Sequence, residues 1–364
     1  MSALSEHVRD FPIHHALVLG DVMLDTYCEG VDARLASEAP VPVVRARRHV
    51  YRAGGAANTA VNVRRLGASV DLLGVTGADA ASELLRRELE RHDVPTHHLI
   101  VDPRRPTTSK LRIYSRRHLV ARLDEEDDQD LPPALESLFV RRLEELLPRC
   151  DVVVVSDYLK GTLTRRVVAE LGRLSRLHQK LVVVDSKDLA RRRFRNIGVV
   201  TPNHLEAQRV CSPSAVEGAP DDDATLAHLC QELLARVDTR WAIITLGGVG
   251  AFVQERHGAG HWVRARPTAV ASDIGAGDAF TAALALALAA GAPVRAAARI
   301  AVEAAGIAVT KDYTAMVTAK ELLDHLASGD VPDDGEDESG VVASNGSTVL
   351  PFPLAGSRRR VPRS

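Results

Sequence analysis

The chain has 364 residues, with 46 Lys or Arg against 48 Asp or Glu, a formal charge of −2, which excludes a protein drawn by its overall charge to nucleic acid or anionic lipid. A hydrophobic share of 45% supplies a sizeable core, for one large domain or two smaller ones. The four cysteines, Cys28, Cys150, Cys211 and Cys230, form no C-x-x-C pair, which disfavours a disulfide scaffold or a cysteine zinc site and points to a reducing, cytoplasmic setting. Residues 1–13 are set apart as an N-terminal extension without the basic-then-apolar pattern of a signal peptide. His15 to Asp21 is a short apolar run ended by a glycine, the pattern of a buried parallel strand. Pro40 to Arg47 alternates, as a strand outside the main sheet does. The glycines at 54 and 55 open a helix that runs to Leu66 and stops at Gly67. Val70 to Gly74 reads as a strand and Ala80 to Arg91 as a helix, so a βα alternation has begun.

Residues 107–123 read as a hairpin that, with the segment near 42–48, makes a small separate sheet, a lid with segments at about 27–50 and 106–123. The acidic cluster Asp124 to Asp130 is expected to be a solvated loop before a helix at 133–147. Strands at 151–156, 181–185 and 197–201 and a helix at 164–177 continue the alternation, and in open α/β sheets ligands sit beyond the carboxyl ends of such strands. Helices near 203–210 and 222–236, strands near 242–246, 250–254 and 261–265, and helices at 277–290 and 294–309 complete the domain. The apolar stretch Ala279 to Val294 contains Thr281 and many alanines, so it reads as a buried helix rather than a membrane span. A folded domain over 14–327 is thus expected, followed by an acidic, Ser/Gly/Pro-rich tail over 328–364. The tail is too polar to order itself, unless it docks on a partner.

The sharpest chemical feature is Ser272-Asp-Ile-Gly-Ala-Gly-Asp-Ala-Phe280 before the Ala/Leu helix. Its glycines let several N–H groups point at one spot at the positive end of a helix, a place that binds phosphate. Asp278 in the first turn is placed as a general base for an attacking hydroxyl. An ordinary helix start, with Asp278 complementing the dipole, is the alternative reading. Gly-Lys never occurs, nor D-F-G, H-E-x-x-H or G-x-S-x-G, which excludes the commonest phosphoryl-transfer and hydrolase designs.

Gly20-Asp21, Gly54-Gly-Ala-Ala-Asn58, Thr201-Pro-Asn203 with Glu206, Thr245-Leu-Gly-Gly248 and Gly275-Ala-Gly-Asp278 occur in the order and approximate separations of the PfkB, or ribokinase-like, sugar kinases, which residues 14–326 resemble. Within that family the chain is most similar to the D-glycero-β-D-manno-heptose 7-phosphate kinases. The discriminating segments are Ser37-Glu-Ala-Pro-Val-Pro42 and Ser156-Asp-Tyr-Leu-Lys-Gly161. The resemblance implies a three-layer α/β/α ribokinase-like fold with a small β-sheet lid, ATP as co-substrate and Mg²⁺. It implies transfer of the γ-phosphoryl group to the anomeric hydroxyl of the heptose phosphate. Another sugar acceptor, or a non-catalytic nucleotide- or sugar-binding regulator, is the alternative.

By the same resemblance Asp278 is the base, and the N–H groups of Gly275, Ala276 and Gly277 stabilise the transferring phosphoryl group. Asp21, Asp25, Gly54, Gly55 and Asn58 hold the sugar, and Lys110 and Arg112 on the lid hold its phosphate. Asn203, Lys187, Thr245, Gly247, Gly275 and Gly277 border the nucleotide, and Glu206 orients hydrated Mg²⁺. Asp185 lies near the phosphate path, where an ion pair with Lys160 or Lys187 accounts for it equally well. Three positions depart from the family. Ser272-Asp273-Ile274 replaces the usual D-x-T, which weakens the case for a monovalent cation. Glu303 replaces an Asn, and Asp312-Tyr313 replaces a small Gly-containing stretch, which is expected to alter the purine pocket. The bifunctional relatives carry a further domain with an H-x-G-H signature; His257-Gly-Ala-Gly-His261 has the wrong spacing, so a stand-alone kinase is expected. The expected partners are small molecules, not nucleic acid or membrane, with a homodimer through the lid as a further possibility.

Overall fold

A computed structural model describes residues 3–192, 194–211 and 223–328. A helix, α1 (Ala3–Arg9), leads into β1 (His15–Gly20), and then β2 (Val22–Leu35) and β3 (Pro42–Gly55) run out as a long antiparallel ribbon. α2 (Ala56–Arg65) brings the chain back to β4 (Ser69–Leu73), followed by β5 (Val75–Thr76), α3 (Ala80–Glu90) and β6 (Ile100–Val101). The hairpin β7 (Ser109–Ser115) and β8 (His118–Glu125) precedes α4 (Pro133–Leu146), β9 (Val152–Asp157), α5 (Arg165–Leu177), β10 (Leu181–Ser186), α6 (Leu189–Arg192) and β11 (Ile197–Val200). After α7 (His204–Cys211) and α8 (Asp223–Arg236) come β12 (Thr239–Thr245), β13 (Gly250–Glu255) and β14 (Gly260–Arg264), then α9 (Ala276–Ala289), α10 (Val294–Ala308) and α11 (Ala319–Ala327).

The central sheet has eight strands in the order β14-β13-β12-β11-β10-β9-β1-β4, parallel throughout except where β13 and β14 turn back. Successive side chains of a strand point to opposite faces, and β1 shows the result. Val18 joins one core with Val61 of α2 and Leu284 of α9, while Leu17 and Leu19 join a second core with Phe139 of α4 and Leu171 of α5. Strands buried on both faces must be apolar all along, and helices must cover both sides. The result is the three-layer α/β/α architecture. Residues from Ala279 to Leu288 in α9 are all buried, so this helix needs no polar face.

The lid is a four-stranded sheet, β3-β2-β7-β8, in which β2 pairs in parallel with β7. It starts earlier than the sequence suggests, because β2 continues from Val22 without a break. The acidic cluster is not simply solvated: Asp124 lies in β8, and Glu126 is paired with both Lys110 and Lys160. Residues 3–13 are part of the packing, with Val8 and Phe11 inside the core. α11, closed by a capping box between Thr318 and Glu321, and the short β5/β6 pair are elements that the sequence reading lacks. Residues 329–364, the greater part of the tail for which the sequence predicts disorder, lie outside the described residues.

Candidate active site

Residues at the carboxyl ends of β9 and β10 reach the start of α9, where Tyr158 bonds Asp278 and Asp185 and Lys187 act on its charge. Gly20 ends β1 at φ +146°, pressed so close to β9 that a Cβ would stand 1.9 Å from Ser156 O; only glycine fits there. Asp21 follows, fully buried. Its Oδ2 accepts from the amides of Tyr158 (2.8 Å) and Lys160 (3.0 Å), and its Oδ1 from that of Thr162 (3.3 Å). The carboxylate expected to hold sugar hydroxyls therefore holds the 158–162 loop, and with it the aromatic ring of Tyr158.

Asp278 lies in the first turn of α9, where the amides have no intrahelical acceptors. Asn58 Nδ2 donates to its Oδ2 at 2.7 Å, and Thr59 Oγ1 (3.1 Å) and the Tyr158 hydroxyl (3.3 Å) donate to its Oδ1. Burial pushes its carboxyl up to about 7, opposed by the Asn58 donor and reinforced by Asp185. The group thus changes charge near neutral pH, as a general base must. Gly275 caps the helix at φ +86°, where a Cβ would come within 2.8 Å of both Ala315 N and Asn58 Nδ2; at Gly277 a Cβ would meet nothing within 4 Å. The glycine turn is closed at Gly275 and open at Gly277.

A second charged group lies at the ends of β10 and β11. Lys187 Nζ is 2.9 Å from Glu206 Oε1 and 3.6 Å from Asp185 Oδ1, and 5.1 Å from the ring centre of Tyr158. Burial works against its charge, but Asp185 and Glu206 hold its titration above the usual lysine range. Burial raises the carboxyl of Asp185 against the pull of Lys187. Asn203 and Glu206 bond reciprocally, Asn203 N to Glu206 Oε2 and Glu206 N to Asn203 Oδ1, both at 2.9 Å. This capping box starts α7. Asn203 also bridges Thr245 at the end of β12, and beyond it Gly247 is exposed, with open space where its Cβ would be.

The lid contributes a buried polar chain. Arg112 donates to Asp25 Oδ1 at 2.6 Å, Thr314 Oγ1 to Asp25 Oδ2 at 2.8 Å, and the Tyr27 hydroxyl shares a 2.8 Å bond with Thr314. Burial and the charge of Asp25 raise the Tyr27 phenol to about 12, against the pull of Thr314 and Arg112, so it stays neutral. Gly54 packs against Asp25 and Gly55 against the Asp21 carbonyl, each too close for a side chain. Lys110 lies 2.9 Å from Asp124 Oδ2 and 3.4 Å from Glu126 Oε2. Both cations expected to hold phosphate therefore already have carboxylate partners on the protein.

Two departures from the family have physical accounts. Tyr313 packs toward the lid. It adopts φ +65°, its ring packs 4.7 Å from that of Tyr27, and its hydroxyl bonds Glu29 on the lid. Glu303 is fully buried beside Arg299 (3.2 Å), Arg266 (3.0 Å) and His325 (2.9 Å), and the two guanidiniums compensate a carboxylate where an amide would need none. Thr59, Tyr158, Tyr27 and Thr314 belong to the cluster and were not singled out from the sequence. Tyr158 alone carries a signal, its place inside the Ser-Asp-Tyr-Leu-Lys-Gly segment.

Residues 14–320 match the pfkB family of carbohydrate kinases. Among curated proteins, the bifunctional protein HldE of Methylococcus capsulatus is 40% identical over 315 residues, 86% of this chain and 64% of the relative. The protein of the same name from Desulfatibacillum aliphaticivorans is 35% identical over 327 residues, 88% of this chain and 66% of the relative. The chain spans a little under two thirds of the length of these relatives. Among solved structures, phosphofructokinase-2 of Escherichia coli in complex with potassium superposes with a TM-score of 0.69 at 20% identity, covering 86% of this chain and 99% of that one. Arabidopsis thaliana ribokinase complexed with ribose and ATP gives 0.66 at 18%, covering 86% and 98%. The chain belongs to the pfkB family of carbohydrate kinases, enzymes that pass a phosphoryl group to an alcohol.

Proposed function

We propose that this chain transfers the γ-phosphoryl group of ATP to the anomeric hydroxyl of D-glycero-β-D-manno-heptose 7-phosphate. The observation that carries the kinase chemistry is Asp278, buried at a helix start beside open space and titrating near neutrality. In this reading Asp278 takes the hydroxyl proton as the oxygen attacks, and Asn58, Thr59 and Tyr158 fix the direction of its lone pairs. The amides of the first turn of α9 offset the charge on the phosphoryl oxygens. Lys187 faces the phosphate path from the end of β10. Asp185 and Glu206 offer the hard oxygen donors that suit a hydrated Mg²⁺, which would neutralise phosphate charge there.

The choice of sugar is supported by the segments 37–42 and 156–161 and by the bifunctional HldE proteins among the relatives. It is also supported by the chemistry of the lid, where Asp25 and Arg112 offer directional polar groups and Lys110 a cation for a phosphorylated sugar. Lys110 would exchange its protein carboxylates for the sugar's phosphate. The test is ADP release from Mg-ATP with the heptose 7-phosphate, sedoheptulose 7-phosphate, fructose 6-phosphate and ribose offered separately. Turnover confined to the manno-heptose phosphate is the expected result, and preference for another acceptor would overturn the assignment of substrate.

A further inference from the structure

Away from the strand ends, the edge of the central sheet holds another group of chemistry-bearing side chains. Asp71 is in the middle of β4, opposite Leu17 of β1, and His97 and His98 lie in the turn between α3 and β6. Each offers one ligand atom, and the three atoms lie within 4.8 Å of one another. We propose that Asp71, His97 and His98 form a binding site for a transition-metal ion of the Zn²⁺ class.

The donor set decides the class. Two imidazoles and a carboxylate suit Zn²⁺ and its neighbours, whereas Mg²⁺ prefers oxygen alone. The spacing agrees: His98 Nε2 is 3.6 Å from Asp71 Oδ1, near the roughly 3.4 Å ligand separation that a tetrahedral ion with bonds of about 2.1 Å requires. The rings of His97 and His98 stand 3.9 Å apart, centre to centre, on consecutive residues. The carboxylate is already aimed. His15 Nε2 donates to Asp71 Oδ2 at 3.0 Å and is itself bound through Nδ1 to Ser69 Oγ at 2.8 Å. Such outer contacts fix a ligating carboxylate. The Nδ1 of His98 is buried with no hydrogen-bond partner among the described residues, and its Nε2 is beyond hydrogen-bond length of Asp71. An ion between His98 Nε2 and Asp71 Oδ1 would be held by both. An ion here would tie the edge strand β4 to the turn before β6.

The test uses the untagged full chain, stripped by chelator and without nucleotide, titrated with Zn²⁺ in a calorimeter. The expected result is one Zn²⁺ per chain, at least about tenfold weaker binding in the His97→Ala/His98→Ala variant and in Asp71→Asn, and a Zn²⁺-dependent rise in Tm in the wild type only. Equal stoichiometry and affinity in both variants, or no binding to the wild type, would overturn the proposal. Kinase turnover with Mg-ATP within about twofold of wild type shows that a variant has folded, since none of the three residues touches the site at the start of α9.

Discussion

Asn58 and Asp278, 220 residues apart in sequence, meet in a 2.7 Å hydrogen bond. The bond joins the first turns of α2 and α9, and with Thr59 and Tyr158 it fixes the carboxylate. Replacing Asp278 by Asn keeps the shape and removes the base. Turnover should fall roughly a hundredfold or more, with ATP affinity, measured by calorimetry, nearly unchanged. Wild-type turnover in this variant would refute the assignment.

The titration of Asp278 near 7 sets two opposed pH dependences. A base works deprotonated, so kcat/KM should rise with pH through about 7 and then level. The carboxyl binds its proton more tightly in the folded chain than at the ordinary value of 3.8. Its contribution to stability is therefore complete below that ordinary value and is lost as pH rises through about 7. The Tm of wild type minus that of Asp278→Asn should fall between pH 5 and pH 8. A flat difference would show that the carboxyl is not perturbed.

Arg112 and Asp25 are a buried pair. Removing one partner leaves the other charge uncompensated, which typically costs about 3–5 kcal/mol, so Arg112→Ala should lower stability by that order in denaturant unfolding. Asp25→Asn in the Arg112→Ala background should recover part of it. Additive losses in the double variant would mean that the two do not interact.

Lys110 is partly exposed and its ion pairs lie near the surface, so Lys110→Ala should leave stability within about 1 kcal/mol. Its effect should appear in binding: KM for the phosphorylated sugar should rise about tenfold or more, with kcat little changed. Unchanged KM would move the phosphate elsewhere on the lid.

Much of the fold is legible because apolar strands, glycine stops and helix starts are local signals. β1, β9 and β10 are continuous apolar runs, and the Gly275–Asp278 turn marks the start of α9 within four residues. What stays hidden is set by partners distant in the chain. Nothing near Asp21 reveals that the 158–162 loop takes up its carboxylate, and nothing near Glu303 points to Arg266 or His325. The direction of Tyr313 follows from Tyr27 and Glu29 on a strand some 284 residues earlier. The roles expected of Lys110 and Arg112 rest on the family resemblance and their place on the lid, which do not disclose that each already has a carboxylate beside it.

The loop at 313–315 touches both halves of the site. Tyr313 bonds Glu29 on the lid, Thr314 bonds Asp25, and Ala315 N donates to Ile274 O at 3.1 Å, one residue before the glycine turn. Three consecutive residues thus connect the lid, proposed to hold the sugar, to the glycine turn, proposed to hold the phosphate, with no helix or hinge between them. Linkage makes any such coupling reciprocal: whatever factor the sugar imposes on nucleotide affinity, the nucleotide returns to the sugar. A lesion in this loop would therefore register as lost synergy between the two substrates before it registered as weak binding of either one.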